Sequence, residues 1–162
     1  QTRANLPLAE RLNQIFTRLT ALIEEVHPDV VSIEELFFAK NVKTAMVVAH
    51  GRAAAVLATA NRHVPMCEYT PLQIKQALTG HGRAAKQQVQ WMVRALLGLE
   101  EVPRPDHVAD ALAAALCHVH SLALTEKVNK AIGGNTDSPC TAELDPRKML
   151  LAQVRRRRRS RR

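Results

Sequence analysis

Acidic and imidazole side chains that could bind a metal ion lie at two separate places in the chain. Glu34 directly follows residues 30–33 (VVSI), a β-branched run, and His107 and Asp110 lie near the start of the last long apolar stretch. His107 and Asp110 are three residues apart, so on a helix they share one face, and Asp106 nearly shares it with Asp110. Two interpretations stay open at this point: a metal site, or a solvated strand end and ordinary acids at a helix N-terminus.

The neighbours of Asp110 favour the metal interpretation. This residue lies among Ala109, Ala111 and Leu112, a stretch that we expect to face a sheet. A buried carboxylate is costly unless a cation balances its charge. We therefore expect Asp110 to be buried and a divalent ion to offset that cost.

Basic, glycine-rich and aromatic segments could contact an anionic ligand. Residues 80–86 (GHGRAAK) would let the backbone approach a phosphate, or would form a flexible turn and a helix cap. Lys75 and Lys86 would ordinarily be solvated surface lysines. The pair Phe37–Phe38, followed by Lys40, predicts either a loop packed into the core or an exposed aromatic wedge.

The positive charge of the chain is concentrated at its end. The 162 residues are 46% hydrophobic, enough for one domain with a real core, and carry a formal net charge of +8. Residues 155–162 (RRRRRSRR) hold seven arginines, and removing these seven from +8 leaves +1 for everything before them. A nearly neutral body argues against a structural nucleoid-type protein, and the tail predicts a sequence-independent contact with a polyanion or a disordered extension.

Cysteine usage and apolar runs indicate a cytoplasmic protein without a membrane partner. We find no apolar run near the ~18 residues of a membrane span and no signal-type stretch at the N-terminus. His118 and His120 are interpreted as packing or surface residues. An odd number of cysteines without CxxC spacing argues against a disulfide framework and against a structural zinc site; they are Cys67, Cys117 and Cys140.

Periodicity and turn signals predict an α-β-α-β-α-α-α order of elements. Strands separated by long helices imply parallel pairing with right-handed crossovers. Ligands of such sheets gather outside the carboxyl ends of the strands, where Glu34 lies. Two strands make a small sheet for so many helices, and the chain does not begin with Met, so we expect further strands upstream of Gln1. The predicted helices cover 8–26, 42–62, 71–78, 84–97 and 106–124, and the predicted strands cover 30–33 and 64–69.

Four segments, in order, resemble the RuvC family of Holliday-junction resolvases. Residues 31–41 (VSIEELFFAKN) are similar to the second acidic motif of that family. The resemblance continues through 68–77 (EYTPLQIKQA), 80–93 (GHGRAAKQQVQWMV) and 109–118 (ADALAAALCH). It runs from about Leu6 to His120.

The resemblance implies a fold, an activity and partners. The fold would be an α/β, ribonuclease-H-like domain with a mixed sheet flanked by helices, its N-terminal strands missing from this chain. The activity would be divalent-metal-dependent cleavage of four-way DNA junctions in recombination and repair, with two Mg²⁺ ions per active site, or Mn²⁺. The partners would be junction DNA, a second copy of the chain in a homodimer, and the branch-migration motor proteins of the same pathway. The helix over 42–62 is our candidate for the dimer interface.

The resemblance also implies roles for individual residues. Glu34 would be a metal ligand shared between two ions, Asp110 the final ligand, and His107 the ligand three residues before it, with Asp106 as the alternative. Phe37 would stack on or wedge between junction bases. Lys75 and Lys86 would hold phosphates near the metals, and the remaining DNA contacts would be Lys40 and Arg83.

One departure from the family pattern concerns its first acidic residue. The family carries that residue in an Asp-Pro-Gly turn on its first strand, and this sequence contains no such turn. The alternative to an active resolvase is therefore a catalytically impaired junction-binding relative, or a fragment. We expect the nuclease domain to cover 1–126 and a polar, Arg-rich extension to cover 127–162.

Overall fold

The computed structural model of the chain describes residues 2–3, 5–36, 42–133 and 140, without the side chains of residues 42 and 43. The elements follow the predicted order, and α1 has the predicted bounds. The helices are α1 (Leu8–Val26), α2 (Val42–Asn61), α3 (Pro71–Thr79), α4 (Lys86–Leu97) and α5 (Asp106–Ile132), and the strands are β1 (Val31–Glu34) and β2 (Met66–Tyr69).

The two strands pair in parallel, as the intervening helix predicts. The register aligns Val31 with Met66 and Glu34 with Tyr69, so both strands end at the same edge. The ladder extends one step beyond the strands, because the Glu35 amide donates to the Tyr69 carbonyl at 2.8 Å. This edge is therefore a fixed position for the side chain of Glu34.

A capping box begins α3 directly after β2. The Thr70 hydroxyl accepts from the Gln73 amide at 3.1 Å, and the Gln73 side-chain carbonyl accepts from the Thr70 amide at 2.8 Å. Pro71 occupies the first helical position, where its missing N–H leaves no helical bond unmade. The N-cap prediction at Thr70 is confirmed, and it places Lys75 one turn into the helix.

Helix α5 forms the centre of the domain. It packs against α3, α4 and both strands, while α1 packs on α2. Its buried alanines allow close approach, and the Ser32 hydroxyl of β1 donates to the Ala114 carbonyl at 2.8 Å. The core cluster consists of Cys67, Tyr69, Ile74, Leu78, Ala84, Val89, Val93, Ala113, Ala114 and Cys117.

Two predictions about α5 were wrong. The helix continues to Ile132 rather than to about Leu124, because Gly133 at φ 63° ends it and the polar residues before Gly133 remain helical. By length and composition α5 could also span a membrane, contrary to the expectation that no stretch qualifies. Five of its residues are buried within the domain, namely Ala109, Ala113, Ala114, Cys117 and His118. The helix passes through residue 126, and the division of the chain into two regions there stays a prediction.

The expectation of no disulfide was also wrong. Cys67 and Cys140 form a disulfide across 73 residues, with their Cα atoms 4.1 Å apart, and Cys117 is free and buried. Three cysteines leave room for one pair, and a pair so distant along the chain has no spacing motif by which sequence could identify it.

Candidate active site

Glu34 is held in place through its backbone at the carboxyl end of β1. The Arg52 guanidinium of α2 donates from Nη1 to the Glu34 carbonyl at 2.7 Å. Its Nη2 forms an ion pair with Glu68 of β2. Arg52 therefore joins the ends of both strands to α2, and with the Glu35–Tyr69 bond it fixes where the Glu34 side chain leaves the sheet.

The charges around Glu34 show which side chains share its neighbourhood. Partial burial of its carboxyl raises the pKa of Glu34, and the negative charge of Asp110 raises this pKa further. Lys75 and Lys86 lower the same pKa. Two carboxylates that repel each other, with two ammonium groups near them, are thus assembled from β1, α3, α4 and α5.

Lys86 joins the first two turns of α5. Its Nζ lies 3.2 Å from a carboxylate oxygen of Asp106 and 3.3 Å from one of Asp110. Hydrogen bonds to the two aspartates raise the pKa of Lys86, and the bond from Lys86 is the main reason that the pKa of Asp106 is lowered. All three side chains are exposed, so these pairs contribute little to stability.

The expected burial of Asp110 was wrong. Its side chain is 47% exposed, while the preceding Ala109 is 1% exposed. The helix therefore turns Ala109 into the core and Asp110 outward, toward Lys86 and the end of β1. The cost that a metal ion would relieve is the repulsion between Asp110 and Glu34 rather than the burial of Asp110.

His107 lies beside this group rather than within it. It lines an open cleft with Asp106, formed by the loop over 102–105 and by Gln87 and Gln90 of α4. Within the described part of the chain, the contacts through Lys86 join Asp106, not His107, to Asp110. The assignment of His107 as a ligand, with Asp106 as its alternative, stays a prediction.

The predicted DNA contacts divide into described and undescribed residues. Lys75 lies close enough to Glu34 to lower its pKa, and Arg83 is exposed in the turn before α4. Gly82 in that turn has a structural reason, because a Cβ there would lie 2.9 Å from the Leu72 side chain. Phe37 and Lys40 lie outside the described residues.

Sequence reasoning did not identify Arg52 or the partner of His118. The Tyr69 hydroxyl lies 2.8 Å from His118 Nδ1, and both residues are buried. His118 therefore packs in the core, one of the two positions expected for it, and burial lowers its pKa. Arg52 is an isolated charge in an alanine-rich helix, which was the only signal that could have drawn attention to it.

Comparisons with known proteins agree with the geometry. The family model described as crossover junction endodeoxyribonuclease RuvC matches residues 1–118. A relative of that description from Desulforamulus reducens is 53% identical over 118 residues, covering 73% of this chain and 72% of the relative. Another from Alkaliphilus metalliredigens is 55% identical over 121 residues, covering 75% and 74%.

Solved structures give the same likeness in three dimensions. The Thermus thermophilus RuvC structure is similar with a TM-score of 0.71 and 41% identity, over 76% of this chain and 75% of that one. T. thermophilus RuvC in complex with Holliday junction substrate gives a TM-score of 0.70 and 38% identity, over 76% of each chain.

Proposed function

The chain belongs to the RuvC family of crossover junction endodeoxyribonucleases, and from that membership we propose how its residues resolve Holliday junctions. Its fold is ribonuclease-H-like, and its function is structure-specific cleavage of four-way DNA junctions in recombination and repair. The observation that carries the proposed site is the convergence of Glu34 and Asp110 with Lys75 and Lys86 at the carboxyl end of β1.

The nuclease is divalent-metal dependent, and its side chains fit such an ion. Glu34 and Asp110 supply the oxygen ligands that Mg²⁺ prefers, and their mutual repulsion is the kind that a divalent cation relieves. The ammonium of Lys86 lies between Asp106 and Asp110, and this contact with a cation supports the proposed metal site. We propose two Mg²⁺ ions per site, with Mn²⁺ as a substitute, held by Glu34, Asp110 and His107. Bound ions of this type activate water and stabilise the leaving oxygen in phosphodiester hydrolysis.

The residue that completes the site is His107 or Asp106. The family pattern favours His107, and a nitrogen ligand shifts metal preference somewhat toward Mn²⁺. The shared contact with Lys86 favours Asp106, which is the alternative. We expect His107→Ala to lower cleavage more than Asp106→Asn, and the reverse order would assign the ligand to Asp106.

Lysines of the chain position the DNA backbone. Lys75 and Lys86 place positive charge beside the acidic ligands, where the phosphate to be cleaved must lie. Arg83 extends the basic surface at the start of α4, and we assign Lys40 to a neighbouring phosphate. We assign Phe37 to the junction centre, where an apolar side chain can separate distorted base steps.

Cleavage of a symmetric junction requires two active sites. We propose a homodimer through α2, because this helix exposes apolar residues that α1 does not cover, namely Met46, Val47, Val48 and Leu57. A two-fold dimer would place equivalent sites on opposed strands. We also propose that the protein works in the cytoplasm, as its cysteine spacing predicts, together with the branch-migration motor proteins that the family resemblance implies.

The direct test of the catalytic assignment is a cleavage assay on a four-way junction with the native protein. We expect Glu34→Gln and Asp110→Asn each to lower the rate by at least about 100-fold, with junction affinity retained, because each change removes a carboxylate that would hold the ions needed to stabilise charge in the transition state. Glu35→Gln, an exposed neighbour, is the matched control and should cleave normally. Near-normal turnover in either ligand variant would reject the assignment.

A further inference from the structure

A second group of metal-binding side chains lies apart from the acidic site. Cys67 of β2, His118 of α5 and Cys140 each offer a ligand atom, and these three atoms lie within 4.8 Å of one another. Cys67 is fully buried and His118 is 5% exposed. None of these three residues is among the charged groups that act on the Glu34 carboxyl, which are Asp110, Lys75 and Lys86.

We propose that Cys67, His118 and Cys140, in their reduced state, bind a zinc-type metal ion that attaches the chain after α5 to strand β2. This site goes beyond the nuclease function, because it uses none of the residues that act on DNA. The structure shows the same two sulfurs joined as a disulfide. The metal-bound and disulfide forms are thus alternative ways of making one connection.

The ligand set selects the type of metal. Two thiolates and one imidazole are soft and borderline ligands, which favour Zn²⁺ over the Mg²⁺ of a carboxylate site. Three protein ligands leave one position of a tetrahedral ion for water. In a mixture of the two ions, the group of Cys67, His118 and Cys140 should therefore bind Zn²⁺ and the carboxylate site should bind Mg²⁺.

His118 is already oriented by the protein. The Tyr69 hydroxyl lies 2.8 Å from His118 Nδ1, so we assign the metal to Nε2. A hydrogen bond to the second ring nitrogen is the usual way in which proteins fix a metal-binding histidine. Cys67 and Tyr69 belong to the hydrophobic core and Cys140 packs against it, so solvent access to the sulfurs is restricted.

The position of Cys140 gives the site a structural consequence. Residue 140 forms an antiparallel bridge with Cys67, so it lies beside β2 on the sheet. Either connection holds residue 140, which follows α5 in the chain, against the strand that ends at Tyr69. A dithiol reduces the disulfide by supplying two electrons and two protons, which yields two protein thiols and the oxidised dithiol; binding of the metal then releases two protons from the protein thiols.

The test uses Co²⁺ as a spectroscopic probe of the fully reduced protein. The protein carries Glu34→Gln and Asp110→Asn, so that the acidic site does not compete, and a phosphine reductant replaces thiols. We expect one equivalent of Co²⁺ to produce the thiolate-to-cobalt charge-transfer absorption in the near ultraviolet, and one equivalent of Zn²⁺ to remove it. Cys140→Ser should abolish this absorption, and Cys117→Ser, which changes a buried cysteine outside the group, should retain it.

Folding and redox state are controlled separately. Cys140 is only partly buried, so its replacement is expected to leave the circular dichroism of the protein unchanged, whereas Cys67→Ser changes a core residue. A protein with three titratable thiols and no charge-transfer absorption would overturn the proposal and leave the two cysteines with a disulfide role only. An absorption retained in Cys140→Ser would overturn it as well. The cleavage assay of the proposed function uses protein with Glu34 and Asp110 intact, so an absent charge-transfer absorption overturns this site alone and leaves the proposed function in place.

Discussion

Arg52 holds the backbone of Glu34, the carboxylate to which we assign a catalytic role. It binds the backbone of Glu34 and the side chain of Glu68, so its removal frees the end of β1. We expect Arg52→Gln to lower kcat by roughly 10- to 100-fold with little change in junction affinity, since small displacements of a catalytic group cost rate.

The control for Arg52 is another arginine linked to α2. Arg62 follows the helix and pairs with Glu24 of α1 at the surface, so Arg62→Gln should cleave normally. Single-turnover cleavage and equilibrium binding separate the two effects. A loss of affinity equal to the loss of rate in Arg52→Gln would show that Arg52 acts on DNA rather than on Glu34.

Sequence could predict some of these residues and not others. Glu34 was predictable because it directly follows the β-branched run over 30–33, and strand ends gather ligands. The exposure of Asp110 was not predictable, because apolar neighbours on a helix do not show which way the carboxylate between them points. The role of Arg52 was not predictable either, because its partners lie 16 and 18 residues away on two strands.

At the scale of the elements, the capping box fixes the turn between β2 and α3, the helix that carries Lys75. Thr70 and Gln73 satisfy each other's backbone amides at this junction. Thr70→Ala removes the side-chain acceptor and should lower the free energy of unfolding by about 1 kcal/mol. Denaturant unfolding measures this change.

The control for the cap keeps its hydroxyl. Thr70→Ser retains the acceptor and should unfold within about 0.5 kcal/mol of the wild-type protein, because serine is as good an N-cap as threonine. Equal destabilisation of the alanine and serine variants would mean that the methyl group of Thr70, not the cap, stabilises this region.

Local sequence rules predicted most helices and strands. They failed where a contact distant in sequence, or the residue that ends a helix, determines the structure. The steps of three and four along 8–26 predicted α1 to its observed bounds, and helices between strands predicted the parallel pair. The end of α5 was misplaced because polar residues were taken as its end, whereas Gly133 terminates it. The link of Cys67 to Cys140 depends on tertiary proximity alone.

At the scale of the whole molecule, the proposed dimer through α2 is testable at one position. Leu57 is 58% exposed, and a charge there would have to be desolvated in an apolar interface. We expect Leu57→Glu to be monomeric in analytical ultracentrifugation at concentrations where the wild-type protein is a dimer, and to lose paired cleavage of the junction.

The control for the interface is a leucine on another helix that is about as exposed as Leu57. Leu72 of α3 is 57% exposed, and Leu72→Glu should leave the dimer intact. A Leu57→Glu protein that remains dimeric would place the interface elsewhere. If the Leu72 variant alone dissociated, α3 would replace α2 as the dimer surface.

The family was predictable from sequence because four motifs occur in order, and not because of composition. Composition gave one domain with a nearly neutral body and a basic end, which many soluble proteins share. The contacts between distant residues, such as those of Arg52 and of Cys67, were visible only in the structure. Phe37, Lys40 and the arginines over 155–162 remain sequence predictions, since they lie outside the described residues.

We propose that Glu34 and Asp110, 76 residues apart in sequence, bind common divalent ions. The most direct measurement is calorimetric titration of Mn²⁺ into the wild-type protein, Glu34→Gln, Asp110→Asn and the double variant. Ligands of one ion are coupled, so each single change should weaken binding nearly as much as both changes together. Single variants that bind Mn²⁺ as tightly as the wild-type protein, or losses that simply add in the double variant, would contradict the account.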